Sequence, residues 1–226
     1  MSIVRLGAKA IDTADPILGQ VLSSTDGVVL GRRNLLINGG MRVHQRGGTI
    51  TLNNAAVTYT LDRISFYKNH AGANTVEQST DTPVGLGFTN SLKFTTTSAD
   101  SSVAATDRVA MIYRMEGYDA ASLEFGTANA KTITISFYVK GTAKTYMIEM
   151  QDGDNNRHNT QQFSVTSDWN RVVLTFAADT TGKINDDNGQ GLIIHLWFHG
   201  GSAYTGGAYT ANTWASVTTN KRAVGI

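Results

Sequence analysis

A repeated alternation of apolar and polar side chains is the feature that most constrains this chain. Within residues 132–140, apolar residues occupy every second position, and threonine, serine, tyrosine and lysine fill the positions between them. Because successive side chains of a strand point to opposite faces, this pattern predicts a β-strand that is buried on one side. Its β-branched and aromatic content favours the same structure.

Several other segments follow the same pattern and are separated by short turns rich in glycine, asparagine, aspartate and threonine. They are residues 58–67, 91–97, 108–115, 145–151, 163–165, 169–176 and 192–198. Residues 118–123 predict a single helical turn. Many short strands with little helix between them predict an all-β fold, a jelly-roll β-sandwich over residues 34–226.

Residues 1–33 have a different character and predict an extended N-terminal arm. Asp15 and Pro16 are suited to begin a short helix, as its N-cap and its first helical residue. One face of that helix would then carry four apolar side chains, those of Ile17, Leu18, Val21 and Leu22. A flexible tail is the alternative. We favour an arm that becomes ordered when it docks on another protein, because such an apolar stripe needs a partner surface.

The overall composition excludes several classes of partner. Nineteen Lys and Arg residues balance eighteen Asp and Glu residues, which gives a formal charge of +1. This net charge is too small to attract the chain to nucleic acid. No apolar run has the roughly 18 residues that a membrane-spanning helix needs. The N-terminus does not have the pattern of a secretory signal, so we expect synthesis in a cytoplasm. The absence of cysteine excludes disulfides, thiolate metal sites and a cysteine nucleophile.

No motif in the sequence indicates an enzyme, and no cofactor is expected. There is no nucleophile elbow, no zinc-protease helix and no phosphate-binding glycine loop. His195 and His199 lie on a predicted strand, where residues four apart are about 13 Å apart and cannot share one zinc ion. Residues 152–156 and 186–189 are rich in Asp, Asn and Gly, which is typical of turns. A calcium ion at either loop is left open, and no metal site is predicted.

Residues 31–47 read GRRNLLINGGMRVHQRG, and this segment resembles the opening of a jelly-roll module common in bacteriophage tail-fibre and other virion structural proteins. The resemblance continues through residues 59–64, 90–95, 115–117 and 130–141 and covers nearly all of residues 32–226. Residues 163–166, with Trp169 and residues 175–176, are similar to jelly rolls of carbohydrate-binding modules. Family members usually continue past an Arg-Ala-Val-Gly segment, whereas this chain stops at Ile226, so we expect either a fragment of a longer fibre or a closing strand that is missing or supplied by a neighbour.

The resemblance implies a virion structural protein that is not an enzyme. The expected role is a tail-fibre subunit that is attached through its arm to a tail adaptor or nozzle protein, takes part in host adsorption and forms a homotrimer. A capsid-decorating or head-fibre protein with the same jelly roll is the alternative. A glycan-degrading depolymerase is the weakest reading, because such enzymes usually need a longer chain or an evident pair of acidic residues.

Host adsorption would require a surface that recognises glycan. Aromatic faces stack on sugars and polar side chains bind their hydroxyls. Tyr138, Glu149, His195 and Trp197 fall on the non-core faces of their predicted strands and are the candidate glycan-binding residues. Their proximity requires that the three strands share one sheet. The alternative is that these aromatic side chains fill an interface between subunits or a second core layer.

Overall fold

A seven-stranded antiparallel sheet is the framework of the molecule. The computed structural model describes residues 34–226. The predicted arm, with its short helix and the apolar residues Ile17, Leu18, Val21 and Leu22, lies outside the described residues. Its boundary with the β-body, predicted at residues 33–34, stays a prediction.

Twelve strands and four short helical turns make up the described chain. The strands are β1 Ile50–Thr51, β2 Ala56–Tyr59, β3 Ile64–Asn69, β4 Ala73–Ser79, β5 Ser91–Ser98, β6 Arg108–Glu116, β7 Ile133–Val139, β8 Lys144–Asp152, β9 Arg157–Val165, β10 Asn170–Phe176, β11 Gln190–Gly200 and β12 Ala215–Ser216. The α-helical turns are α1 Gly117–Ala120 and α2 Ser202–Thr205, and 3-10 turns span Ala121–Leu123 and Thr219–Lys221.

The strands form three sheets in which every strand pair is antiparallel. The large sheet has the order β12-β9-β8-β11-β6-β3-β2. A three-stranded sheet has the order β1-β4-β5, and β7 pairs with β10 alone. Strands distant in sequence are neighbours, since β11 lies between β6 and β8. This antiparallel arrangement, with strands that cross between sheets, confirms the predicted all-β jelly-roll class.

Aromatic side chains join the two small sheets to one face of the large sheet, which we call its inner face. Phe94 of β5 stacks on Phe198 of β11 with ring centroids 4.4 Å apart, and Phe66 of β3 lies 5.8 Å from Phe94. Phe137 of β7 meets Phe163 of β9 edge to face at 5.3 Å. The small sheets therefore form the second layer of a β-sandwich, and these rings fill the space between the layers.

Most predicted strands occur near their expected positions, but β9 begins at Arg157 rather than at residue 163, and the short strands β1 and β12 were not predicted. The predicted strand 58–67 is broken, because a tight turn with Arg63 at φ 70° separates β2 from β3. Strand β4 was missed, because its sequence Ala-Asn-Thr-Val-Glu-Gln-Ser is mostly polar. The helical turn predicted at residues 118–123 is present as α1 and the adjoining 3-10 turn.

The acidic loop at residues 152–156 is the tip of the β8–β9 hairpin. The Asp152 carboxylate accepts hydrogen bonds from the backbone N–H groups of Asp154 (2.9 Å) and Asn155 (3.0 Å). In the loop at 186–189, Asp187 accepts a hydrogen bond from the backbone N–H of Gly189 (2.8 Å). These are the turn-stabilising roles that short acidic side chains commonly take. Residues 34–226 contain no group of three or more His, Asp or Glu side chains that could hold a metal ion.

The outer face of the large sheet is also covered. Residues 201–226, which we call the C-terminal cover, supply the edge strand β12 and also pack against the outer face. Tyr204, Ala223, Val224 and Ile226 of the cover pack with Trp197 of β11 in one apolar cluster. The large sheet is thus buried on both faces in this region, as one would expect of strands whose apolar residues do not alternate strictly.

A buried polar cluster beneath the C-terminal cover

Adjacent strands place the polar side chains of this cluster on the outer face of the large sheet. His195 of β11 lies directly opposite Glu149 of β8, and Glu149 lies opposite Thr160 of β9. Gln151 and His158 form the next pair of the β8–β9 ladder on the same face. Side chains opposite one another on neighbouring strands share a face. The pairing register therefore brings together residues that are distant in sequence.

Glu149 is the centre of the cluster and is fully buried. Its Oε2 accepts a hydrogen bond from the indole N–H of Trp197 at 3.0 Å. Its Oε1 accepts one from Nδ1 of His158 at 3.0 Å. Arg222 of the C-terminal cover donates from Nε to both oxygens, at 2.9 and 3.1 Å. The carboxylate is thereby paired and hydrogen-bonded, which is the condition under which a buried charge is tolerated. We call Glu149, Gln151, His158, His195, Trp197 and Arg222 the clamp cluster.

Trp197 is only 1% exposed, because the C-terminal cover lies over its ring. The Tyr204 ring centroid is 5.4 Å from that of Trp197. The Arg222 guanidinium lies 5.3 Å from the ring centroid. Both contacts come from the cover, so Trp197 and Glu149 together form the surface on which the cover docks.

The clamp cluster changes the protonation of two of its members. Burial opposes ionisation of Glu149, but the charge of Arg222 and the hydrogen bond from His158 outweigh it and lower the pKa of Glu149 to about 2. Burial lowers the pKa of His195 to about 4, against the attraction of Glu149 and with a further contribution from the charges of Arg222, Arg114 and Arg108. At neutral pH Glu149 is therefore ionised and His195 is neutral. Neutral His195 lies with Nε2 3.1 Å from Oε1 of Gln151.

This arrangement suits a structural clamp rather than acid–base chemistry. A general acid or base must carry a pKa near the working pH and reach the reacting atom. Glu149 has a low pKa, and both of its oxygens are engaged by other side chains. The cluster therefore ties the C-terminal cover to the sheet.

The structure brings three of the four predicted glycan-binding residues together and separates the fourth. Glu149, His195 and Trp197 meet on the outer face of the large sheet, but their predicted solvent exposure is wrong, since the C-terminal cover buries all three. Tyr138 belongs to β7, in the other layer, and contacts Phe88 with ring centroids 5.7 Å apart. The alternative of a second core layer describes Trp197. Glycan binding by these four residues stays a prediction.

Sequence reasoning missed Arg222 of the cover, His158 of β9 and Gln151 of β8. One signal could have indicated them. Strand β11 carries Leu192 and Ile194 on one face and Ile193 and Trp197 on the other. A strand that is apolar on both faces must be covered on both. If the second layer of the sandwich covers one face, a further segment of protein has to cover the other.

Comparison with known proteins gave matches among solved structures only. No family model and no curated protein matches the chain. One matching structure is the family 11 carbohydrate-binding module of the cellulosomal cellulase Lic26A-Cel5E of Clostridium thermocellum, with 15% identity, a TM-score of 0.39, and coverage of 68% of this chain and 86% of that one. A second is the family 11 module from Clostridium thermocellum in complex with a β-1,3-1,4-mixed-linked tetrasaccharide, with the same identity and TM-score and coverage of 68% and 88%.

Both of these structures are carbohydrate-binding modules. Within residues 34–226, no helix is both long and apolar enough to cross a membrane.

Removal of the clamp carboxylate should destabilise the fold strongly. Glu149→Ala leaves Arg222 and His158 without their buried partner, and breaking such a pair costs about 3–5 kcal/mol. The control is Glu124→Ala, which removes the exposed ion pair with Lys131 and should cost about 0–1 kcal/mol. Urea unfolding at pH 7 measures both variants. Equal midpoints for the two would show that the clamp contributes nothing.

Acidification should weaken the fold in two separable steps. His195 ionises at pH 6.5 when unfolded but only near 4 when folded, so stability falls as the pH drops from 6.5 to 4. Glu149 titrates at 4.5 when unfolded and near 2 when folded, so its contribution is present above pH 4.5 and is lost between 4.5 and 2. Each step amounts to about 3 kcal/mol at most. His195→Gln should flatten the upper step only, and urea midpoints at pH 7, 5.5, 4.5 and 3.5 measure it. An unchanged upper step in this variant would contradict the assignment.

Proposed function

We propose that the protein is a structural subunit of a phage virion, a tail-fibre component that is attached through residues 1–33 and presents its β-sandwich for adsorption to host-surface glycan. It is not an enzyme in this proposal. The sequence resemblance over residues 32–226 supports the virion assignment, and the jelly-roll sandwich is consistent with it. A capsid-decorating protein would share the same sandwich and differ only in where the arm docks.

The observation that carries the non-catalytic part of the proposal is the engagement of Glu149. Its carboxylate is fully buried, and its two oxygens accept hydrogen bonds from Trp197, His158 and Arg222. These contacts bind one part of the chain to another and leave no lone pair directed at a substrate. A depolymerase would instead need two carboxyl groups facing a scissile bond.

Exposed apolar side chains support the proposal of a homotrimer. Val84 is 97% exposed, and Leu86, Phe88 and Val173 are also exposed on the second layer. Isolated exposed apolar residues are ordinary, but several on one loop favour a contact with another subunit. Ile193 and Trp197 lie on the outer face of β11 but are buried, so they give no such support.

Full-length protein at micromolar concentration should therefore have three times the mass of one chain by light scattering. Leu86→Asp should shift the mass toward that of the monomer, because it places a charge in the proposed contact. Tyr118→Asp is the control, since Tyr118 is exposed on α1, and it should leave the mass unchanged. A monomer mass for the unaltered protein would refute the trimer.

Removal of residues 1–31 should leave a folded β-domain that no longer joins the virion. Leu18→Asp in the full chain should have the same effect on incorporation, because docking of that apolar face would bury an unpaired charge. Circular dichroism checks the fold, and assembly of virions in infected cells checks incorporation. Normal incorporation of the truncated chain would place docking in the β-body. Location of the protein in a virion map distinguishes the tail from the capsid.

A further inference from the structure

The dipeptide Asn-Gly occurs twice in the chain, at residues 38–39 and 188–189. In such a pair the backbone nitrogen of the glycine can attack the side-chain amide carbon of the asparagine, because glycine has no side chain that hinders the approach. The attack requires the amide carbon to come within about 3–3.5 Å of that nitrogen. The surroundings of each asparagine side chain therefore decide whether the reaction takes place in the folded protein.

The side chain of Asn38 is held in place by three hydrogen bonds. Its Oδ1 accepts one from the backbone N–H of Val43 at 2.9 Å. Its Nδ2 donates to the carbonyl oxygens of Val43 and Asp62, at 2.9 and 3.0 Å. Rotation of the amide carbon toward Gly39 would break these bonds, so the fold protects Asn38.

The side chain of Asn188 has no such restraint. Asn188 and Gly189 are both exposed, in the loop that precedes β11. The Asn188 side chain makes no hydrogen bond within residues 34–226. It is therefore free to rotate among its staggered conformations, including those that bring the amide carbon to the nitrogen of Gly189.

The neighbouring carboxylate of Asp187 is compatible with this reaction. Its Oδ1 accepts a hydrogen bond from the backbone N–H of Gly189 at 2.8 Å. An amide N–H lies in the plane of its peptide group, so this hydrogen bond lies in that plane. The nitrogen attacks through the π orbital perpendicular to the plane, which stays open. The carboxylate is also placed to accept the proton that the nitrogen has to lose.

We propose that Asn188 is a site of spontaneous deamidation in the folded protein and that Asn38 is not. The nitrogen of Gly189 forms a bond to Cγ of Asn188 and loses its proton, while the side-chain amide nitrogen leaves as ammonia, which gives a cyclic succinimide. Water then opens the ring. Opening at the side-chain carbonyl gives aspartate, and opening at the main-chain carbonyl gives isoaspartate, in which the main chain continues through Cβ and Cγ. The reaction is independent of the proposed role in a virion.

The loop that contains Asn188 docks on α1, so the two products have different consequences. The backbone N–H of Gly117 donates to the carbonyl of Gly189 at 3.2 Å, and that of Tyr118 donates to the carbonyl of Asp187 at 2.9 Å. Isoaspartate between these two carbonyls lengthens the main chain by one carbon, so both hydrogen bonds cannot keep their geometry. Isoaspartate therefore weakens the docking of α1, whereas aspartate leaves the backbone unchanged.

The contact between this loop and α1 has little room for adjustment. A side chain at Gly117 would collide with the carbonyl oxygen of Asn185. A side chain at Gly191 would come within 2.8 Å of the Cα atom of Gly117. A longer main chain in the loop therefore has to move away from α1.

The direct test uses the unaltered full-length protein, incubated for several weeks at mildly alkaline pH and body temperature. Peptide mapping by mass spectrometry detects the conversion of each amide to an acid, and isoaspartyl methyltransferase labels the isoaspartate. Asn188 should convert at least tenfold faster than Asn38. The matched control is the same chain unfolded in urea, where Asn38 loses its hydrogen bonds and the two sites should convert at similar rates. Absence of conversion at Asn188, or equal rates in the folded protein, would overturn the proposal. A difference that persists unchanged in urea would also overturn it, because the fold would then not be its cause.

A second measurement tests the consequence for α1. Protein that carries isoaspartate at position 188, separated by chromatography, should unfold at a lower urea concentration than the unmodified protein. Asn188→Asp is the matched control, because it introduces the charge without the longer main chain, and it should keep the midpoint of the unmodified protein. Equal midpoints for the isoaspartate form and Asn188→Asp would refute the effect on α1 and leave the modification standing. Asn188→Gln should stay unmodified at this position, and its conversion would contradict the succinimide route.

Discussion

The ion pair between Glu149 and Arg222 is the interaction on which the outer face of the large sheet depends. A carboxylate at the centre of a covered sheet is costly unless it is paired, and three side chains pair it here. Arg222 is the partner that comes from the C-terminal cover, 73 residues away along the chain. Docking of the cover and ionisation of Glu149 are therefore coupled. Loss of either would expose Trp197 and the apolar cluster around it.

Because the clamp cluster depends on a segment that is distant along the chain, the sequence predicted the strands of the sheet better than it predicted this cluster. Period-two alternation is a local signal, and it located β7, β10 and most of β11 because each strand has one face toward the inner core. The clamp cluster depends on pairing register between strands and on a long-range contact from a glycine-rich segment. Neither leaves a local pattern. The clearest sign in the sequence that the outer face is covered was the apolar character of both faces of β11.

Two of the errors in strand prediction have equally physical origins. Arg63 adopts a left-handed conformation, which side chains other than glycine take infrequently, so nothing in the composition of residues 58–67 marked a turn there. Strand β4 can be mostly polar because it is paired with β1 on one side and β5 on the other. These backbone pairings hold it in place, so it does not depend on a buried apolar face alone. Polar strands with a partner on both sides lie beyond the reach of hydrophobic periodicity.

His195 and His199 lie in different environments because the pairing of β11 has an irregularity between them. In a regular strand these residues would share a face, and His199 would extend the clamp cluster. The pairing of β11 with β6 shifts register between Trp197 and His199. A bulge of this kind re-aims the side chains beyond it. Phe198 and His199 then both line a cleft of about 210 Å³ between the layers, while His195 stays beneath the cover. The same strand thus supplies a buried clamp at its centre and a cleft wall at its end, and the bulge separates the two.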